Sequence, residues 1–494
     1  MLFNSLGYFA FLLLPIPIAW VLPARARVVM LGAFSVLFYA MWRWEFSLLI
    51  VFSAAVDFVC AQEIHATDIV RKRRGWLLTS LIVNLGLLLA FEYTYFFYDN
   101  IALLGAAAGY DVPALEGLGI RIILPLGISF YTFQTISYTI HVYRGIIEPT
   151  RRFPLFFAYV TFWPQLIAGP ILRASEVMPQ LETKRRLSRD DLSRGMLLIL
   201  TGLFKKVVLA DTIASFVDGA FSIDPSLMTA LDVWTATFLF GFQIYFDFAG
   251  YSDIAIGSAR LLRMKFPLNF SWPYMAVSLQ DFWRRWHISL SAWIRDYLYL
   301  PLTGQQFRTR STGGLAVAAV SDSNQLDRVG RDRALLTSWL IMGLWHGAGW
   351  TFALWGLFHA CVILLYRYAP FLSQLPKKVP LLGWCLMLLI AMVSWIPFRS
   401  TSVEQALIMF AKIANPFDYT WAARRVRGYT YILTAVVLLA MLGAYGCKWV
   451  QETYAVPRLV VSAAATVSVA LMASSILLFM RDVKQFIYFQ FRVS

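Results

Sequence analysis

The sequence predicts an all-α polytopic integral membrane protein of about 11 to 13 membrane segments, some of them re-entrant. Three observations carry this. Of 494 residues, 59% are hydrophobic and only 14% charged, against about 25% charged in a soluble domain, and the mean hydropathy is +0.63. The apolar residues fall in runs of about 20, which at 1.5 Å per residue cross a hydrocarbon core. Lysines and arginines gather between the runs, as cytoplasmic loops require. The net charge of +15 therefore marks loops beside lipid headgroups, and nucleic acid is not expected as a partner. Cys60, Cys361, Cys385 and Cys447 stand singly in or beside apolar runs without metal-ligand spacing, so free thiols and no metal are expected.

Taken in order, residues 1–22 form an uncharged first span followed by Arg25 and Arg27, with the N-terminus outside. Runs at 28–42 and 46–64 end at Arg71-Lys72-Arg73-Arg74, a cytoplasmic anchor. A span at 76–98 emerges into an acidic stretch, and one at 122–143 returns to Arg144, Arg151 and Arg152. Residues 155–172 hold Pro164, Gly169 and Pro170 between basic flanks that include Lys184-Arg185-Arg186. That pattern suits a re-entrant segment, which must be buried in protein or line a wet cavity. A span at 207–222 follows.

The next run, FLFGFQIYFDFAGYSDIAIG, places Gln243, Asp247 and Asp253 in or near the membrane. Gln243 and Asp247 share a helical face, and Asp253 is expected beyond a break at Gly250. Each carboxylate either pairs with an arginine of a neighbouring helix or orients a catalytic histidine. In residues 278–302, a helical projection puts Trp283, Trp286, Leu290, Trp293 and Tyr297 on one stripe and Arg284, His287, Ser291 and Arg295 on another. An amphipathic or re-entrant helix is expected, its basic side toward an anionic ligand or headgroups. A basic loop runs from Thr303 to Arg333.

Residues Ser338 to Ala360, SWLIMGLWHGAGWTFALWGLFHA, carry two imidazoles, His346 and His359, inside a run long enough to span. Ionisable groups at membrane depth are rare without a use. Gly343, Gly347 and Gly349 admit close backbone approach around His346. On one unbroken helix the two imidazoles would lie about 220° apart. Unless the glycines break the helix, only one then faces a common cavity; His346 is the better candidate and His359 a packing residue. Beyond 380, spans are expected at 380–397, 428–447 and 457–480; residues 403–414 are too short to cross, while Arg424, Arg425 and Arg427 ask for a cytoplasmic location. One domain, 1–494, accommodates all of this.

The stretches LWHGAGWTFALWGLFHA, QDFWRRWHISLSAWIRDYLYLPL, YFDFAGYSDIAIG, LPLGISFYTFQTISYTIHVYRG and FWPQLIAGPI, spread over about residues 121–360, resemble the membrane-bound O-acyltransferases (MBOAT), specifically the bacterial alginate O-acetyltransferase branch. The resemblance implies a ring of tilted helices with a central tunnel from a cytoplasmic acyl-donor site to an outer funnel. It implies catalytic roles for His346 and for His287, acetyl-CoA as donor substrate with no bound cofactor, and a bacterial inner-membrane location. An SGNH-like extracytoplasmic partner would then acetylate an exported polysaccharide. His141 departs from the pattern, standing where an Asp before V-Y-R is expected. In the tail, 481–494, Phe486 to Phe491 reads FIYFQF and resembles the F-x-Y-x-x-F motif of small partner peptides of D-alanyl-transferring relatives. Tyr488 is therefore a candidate acyl carrier, with an interfacial aromatic anchor as the alternative.

The residues suggest a mechanism by themselves. Burial favours a neutral imidazole, which accepts a proton from a hydroxyl attacking a thioester. His287 or Asp253 could orient it, and Arg284 and Arg295 could meet coenzyme A phosphates. A lipid or protein acceptor, or a transporter, would show many of the same intramembrane charges. No phosphate-binding loop, G-x-G-x-x-G or H-E-x-x-H is present.

Overall fold

The computed structural model describes residues 3–110, 112–113, 115–119, 121–167, 169–183, 187–305, 307–310, 317–320, 327–480 and 487. In chain order its helices are α1 (Leu6–Leu12), α2 (Pro15–Val21), α3 (Ala24–Ala40), α4 (Glu45–Ala66), α5 (Val70–Leu88), α6 (Thr94–Ala107), α7 (Ile128–Tyr143), α8 (Phe153–Thr161), α9 (Trp163–Leu166), α10 (Ala174–Glu182), α11 (Arg189–Leu203), α12 (Asp211–Phe221) and α13 (Ala230–Leu261). There follow α14 (Leu279–Arg285), α15 (Ile288–Ile294), α16 (Leu300–Leu302), α17 (Arg328–His346), α18 (Trp350–Tyr368), α19 (Pro370–Lys378), α20 (Pro380–Arg399), α21 (Val403–Ala414), α22 (Gly428–Thr453) and α23 (Arg458–Phe479). The exception to helix is a short antiparallel hairpin, Phe307–Arg310 against Val317–Val320, in the basic loop.

Among the described residues, six stretches are long and apolar enough to cross a membrane: Glu45–Ala66, Val70–Ala107, Trp350–Tyr368, Pro380–Arg399, Gly428–Thr453 and Arg458–Phe479. Others are shorter or more polar because protein covers them. α7 is buried along nearly its whole length, Ser, Thr and Gln included. The expected first span is interrupted between α1 and α2 at Leu13-Leu14, and Pro15 opens α2. The expected re-entrant piece is the broken pair α8 and α9, buried almost throughout. The expected span at 207–222 belongs to a longer rod: α11 continues through a π-helical segment, Phe204–Ala210, directly into α12.

The centre is α13, 32 residues long and so about 48 Å. Contrary to expectation it does not break at Gly250. That glycine serves packing: a Cβ there would lie 2.8 Å from the carbonyl oxygen of Gly202, and one at Gly202 would lie 2.6 Å from that of Gly250. Gly195 and Gly257 repeat the contact seven residues along each helix, at 3.1 and 2.7 Å from each other's carbonyl. α11 and α13 are thus an antiparallel pair in backbone contact at two points, the small-residue geometry by which membrane helices associate.

The basic segments meet at one end of the molecule. Arg73 donates to the Tyr143 carbonyl at 2.6 Å, Gln62 to that of Thr150 at 2.8 Å, Arg27 to those of Leu181 and Thr183, and Gln180 bonds Lys265 just past α13. Arg424, Arg425 and Arg427 do not join them. Asp232, at the opposite end of α13, accepts the backbone N–H groups of Arg425 and Val426, each at 2.9 Å, and the Tyr431 hydroxyl at 2.5 Å. Gln405 of α21 bonds the Phe221 carbonyl at this same far end. Three arginines therefore stand apart from the other basic clusters, against the charge rule.

A methyl group at Gly202 would meet the Gly250 oxygen and the Ile254 backbone nitrogen, 2.6 and 3.0 Å away. Gly202→Ala is expected to destabilise the protein by about 1 to 3 kcal/mol, the usual cost of overpacking. Gly219→Ala, where nothing lies within 4 Å, should be neutral. Thermal melts of both variants in one detergent decide this, and equal midpoints would show that the helix pair yields freely.

Candidate active site

α17 starts with Asp327 accepting the Gly330 N–H at 2.8 Å and ends on His346, because Gly347 is extended (φ 175°, ψ 152°). α18 then runs back alongside α17. A Cβ at Gly343 would sit 2.3 Å from the Phe352 oxygen and one at Gly356 2.3 Å from the Trp339 oxygen, so the two backbones touch. The glycines do break the helix, and the 220° separation of the imidazoles does not arise. His346 and His359 both pack against one indole: ring centres lie 5.0 Å from Trp355 for His346 and 4.8 Å for His359.

His346 is 2% exposed and contacts Trp345 and Phe398 at 5.1 and 5.2 Å. His359 is fully buried, packed by Trp283 (4.9 Å) and stacked on Trp339 (5.1 Å). Both of its ring nitrogens lack a hydrogen-bond partner among the described residues, so it packs as expected but without a protein partner for either nitrogen. The indole nitrogens of Trp283, Trp355 and Trp395 are unpartnered in the same sense, and Trp283 and Trp395 both contact Trp355. Buried donors seldom go unmet; their concentration here marks a polar cluster packed among aromatic rings.

The expected continuous helix over 278–302 is cut at His287. Trp286 is extended and His287 left-handed (φ 40°), where non-glycine residues are uncommon. The His287 Nδ1 accepts the Leu290 N–H at 3.4 Å and so caps α15, while Ser271 and Ile288 tie the kink to Arg285 and Asn269. The predicted basic and aromatic stripes therefore dissolve. Arg284 is exposed, and Arg295 pairs with Asp296 at 2.7 Å. His287 turns inward, fully buried, against Phe248 at 4.6 Å and Trp345 at 6.0 Å, its Nε2 unpartnered among the described residues. One indole, Trp345, thus separates His287 from His346.

Asp247 and Asp253 of α13 pair with lysines rather than arginines. Asp253 takes Lys205 at 2.6 Å; Asp247 takes Lys206, which also bonds Asp211 at 2.8 Å. The other oxygen of Asp247 accepts the backbone N–H of Ile487 at 2.9 Å. Asp253 is engaged by Lys205 and does not orient His346 through any contact seen here. Tyr488 lies outside the described residues, as does the rest of the tail apart from Ile487, which is 3% exposed. His141 is buried with its Nε2 2.6 Å from the Tyr297 hydroxyl, beside the Arg173–Asp296 ion pair.

Sequence reasoning missed Lys205 and Lys206, two cations inside an apolar run, and Asp57. Asp57 is fully buried and accepts the Ser80 hydroxyl on one oxygen and the Asn84 amide on both, at 2.5 to 3.0 Å. Charges interrupting apolar runs were the available signal.

The profile of the membrane-bound O-acyltransferase family matches residues 148–320. A probable alginate O-acetylase of Azotobacter vinelandii is 35% identical over 463 residues, covering 92% of this chain and 86% of its own. The chain belongs to the membrane-bound O-acyltransferase family. A peptidoglycan O-acetyltransferase of Helicobacter pylori is 36% identical over 401 residues, 76% of this chain and 71% of its own. A teichoic acid D-alanyltransferase of Streptococcus thermophilus is 28% identical over 249 residues, about half of each chain (49% and 56%). The protein is an integral membrane O-acyltransferase.

The unpartnered imidazole of His359 carries a desolvation cost of about 1 to 3 kcal/mol. His359→Phe, which keeps the ring contacts and removes both nitrogens, is expected to raise the melting temperature by several degrees. A lowered midpoint would show that the two nitrogens are already satisfied in the folded protein.

Proposed function

We propose that this acyltransferase takes the acetyl group of cytoplasmic acetyl-CoA and passes it across a bacterial inner membrane for O-acetylation of an exported polysaccharide. The observation that carries the chemistry is His346, buried at a helix end one indole from His287 and one from His359. Its relatives named for alginate and peptidoglycan support a polysaccharide as final acceptor.

In this reading a hydroxyl oxygen bonds the thioester carbonyl carbon as His346 accepts the hydroxyl proton. The carbon–sulfur bond then breaks, and coenzyme A leaves as the thiol after taking up that proton. His287 supports the charge that develops, and exclusion of water by the tryptophans keeps the thioester from hydrolysis. Of the two candidate phosphate contacts, Arg284 is the open one, since Arg295 is occupied by Asp296.

The first hydroxyl is assigned to Tyr488. Support comes from its neighbour: Ile487 is buried and bonded to Asp247 midway along α13. The phenolic acetyl ester then passes its acyl group to the extracytoplasmic partner, and the phenol regains a proton.

Acetyl-CoA turnover by the purified protein in lipid tests this. His346→Ala should lose about 10² to 10⁴ in rate while remaining folded, and an equal rate would remove His346 from the chemistry. Tyr488→Phe, at equal expression, should abolish polymer acetylation in cells; unchanged acetyl-ester content would return the tail to a packing role. Comparing surface polymers of a deletion strain identifies the acceptor, and loss confined to lipid or protein acyl groups would overturn the polysaccharide assignment.

A further inference from the structure

The three arginines at the far end of α13 need an explanation, because the other basic clusters are gathered at the opposite end, while Arg399 and Lys412, which share this end, are each paired with an aspartate, Asp218 and Asp418. Their loop is held in place. The Asp232 carboxylate, fully buried, fastens the Arg425 and Val426 backbone and the Tyr431 hydroxyl, and it is itself fixed by the Thr229 N–H at 3.0 Å. Arg424 folds back over the Trp421 ring, 4.5 Å from its centre. Arg425 and Arg427 instead line a cleft of about 440 Å³ between the end of α12 and the start of α22. Arg427 donates to the Tyr429 hydroxyl at 3.0 Å; the Arg425 guanidinium has no partner among the described residues.

The cleft has an apolar continuation. Phe216 and Tyr429 meet edge to face at 5.7 Å in its wall. Beyond Tyr429, Ile432, Val436 and Leu439 lie on the same side of α22 and are 65%, 55% and 66% exposed. In a membrane protein such a stripe faces lipid tails. Two guanidiniums on a fixed loop at a helix end, above an exposed aliphatic stripe, match a molecule with anionic oxygens at one end and hydrocarbon at the other.

We propose that this cleft is a binding site for an anionic phospholipid, its phosphate held by Arg425 and Arg427 and its acyl chains laid along α22. A soluble acidic glycan could meet the guanidiniums but would leave the aliphatic stripe uncovered. The lipid also accounts for arginines at this end: a bound headgroup neutralises them where the charge rule would otherwise exclude them.

The test is lipid retention by the purified full-length protein, read by native mass spectrometry and by thermal shift. Phosphatidylglycerol is titrated against phosphatidylcholine of the same acyl chains. Wild type should keep phosphatidylglycerol in preference. The double variant Arg425→Gln/Arg427→Gln should bind it roughly 10- to 30-fold more weakly, from about fivefold per guanidinium near an anionic headgroup. Arg424→Gln should bind as wild type does. Equal affinity in the double variant, or no preference over phosphatidylcholine, would overturn the site. Displacement of the lipid by a soluble oligouronate of matched charge would overturn the lipid and make the acidic polymer the occupant.

Discussion

The interior of this protein depends on one buried cation. Lys206 is 1% exposed and pairs with Asp247 and Asp211. An ammonium taken out of water costs several kcal/mol unless its partners are well placed, so the surrounding backbone is committed to placing them. The Gly202–Gly250 contact brings α11 against α13, and the π-helical segment begins two residues later at Phe204. There Lys205 faces Asp253 while Lys206 faces Asp247. Adjacent residues on a regular helix differ by 100°, and the two carboxylates are six positions apart on α13. The wider π turn and the close approach let both pairs form together. Asp247 then has one oxygen left, and the tail takes it through the Ile487 N–H.

The cluster around Trp355 is built differently. Where the α11–α13 seam satisfies its charges, this cluster and the neighbouring His287 leave polar nitrogens unmet among the described residues, on His359, His287 and three tryptophans. A folded protein tolerates such groups where substrate or water completes them, and stability is commonly given up at sites of function. The glycines of the α17–α18 hairpin make this arrangement reachable, since any Cβ at Gly343 or Gly356 would separate the two helices that present His346 and His359.

Much of this was legible in the sequence for a simple reason: membrane insertion writes itself as runs of apolar residues and clusters of arginine. The broken, buried character of the segment around Pro164, the inward setting of His346 and the unusual character of 278–302 all followed from residues that lipid would reject. What failed did so where a glycine or a kink has two meanings. Gly250 reads as a break but is a contact point, whereas Gly347 breaks a helix that hydropathy carries through. His287 shares a stripe with Arg284 only if the helix continues, and nothing local announces a left-handed residue at that position. That Arg425 stands apart from the other basic clusters was not foreseen, because charge counting does not see a carboxylate such as Asp232 that fixes the loop carrying it. Lys206 was overlooked because its partners lie on other helices.

The backbone of His287 has a consequence for how its chemistry is read. A left-handed φ of 40° is tolerated well by glycine and acceptably by asparagine or aspartate, and poorly by most other side chains. Replacement by alanine therefore changes two things at once, removing an imidazole and straining the corner that joins α14 to α15. Glycine keeps the corner and removes the ring; asparagine keeps the corner and leaves a hydrogen-bonding group close to the place of Nδ1. Only against that pair of substitutions does the loss seen with any third residue separate into conformational and chemical parts.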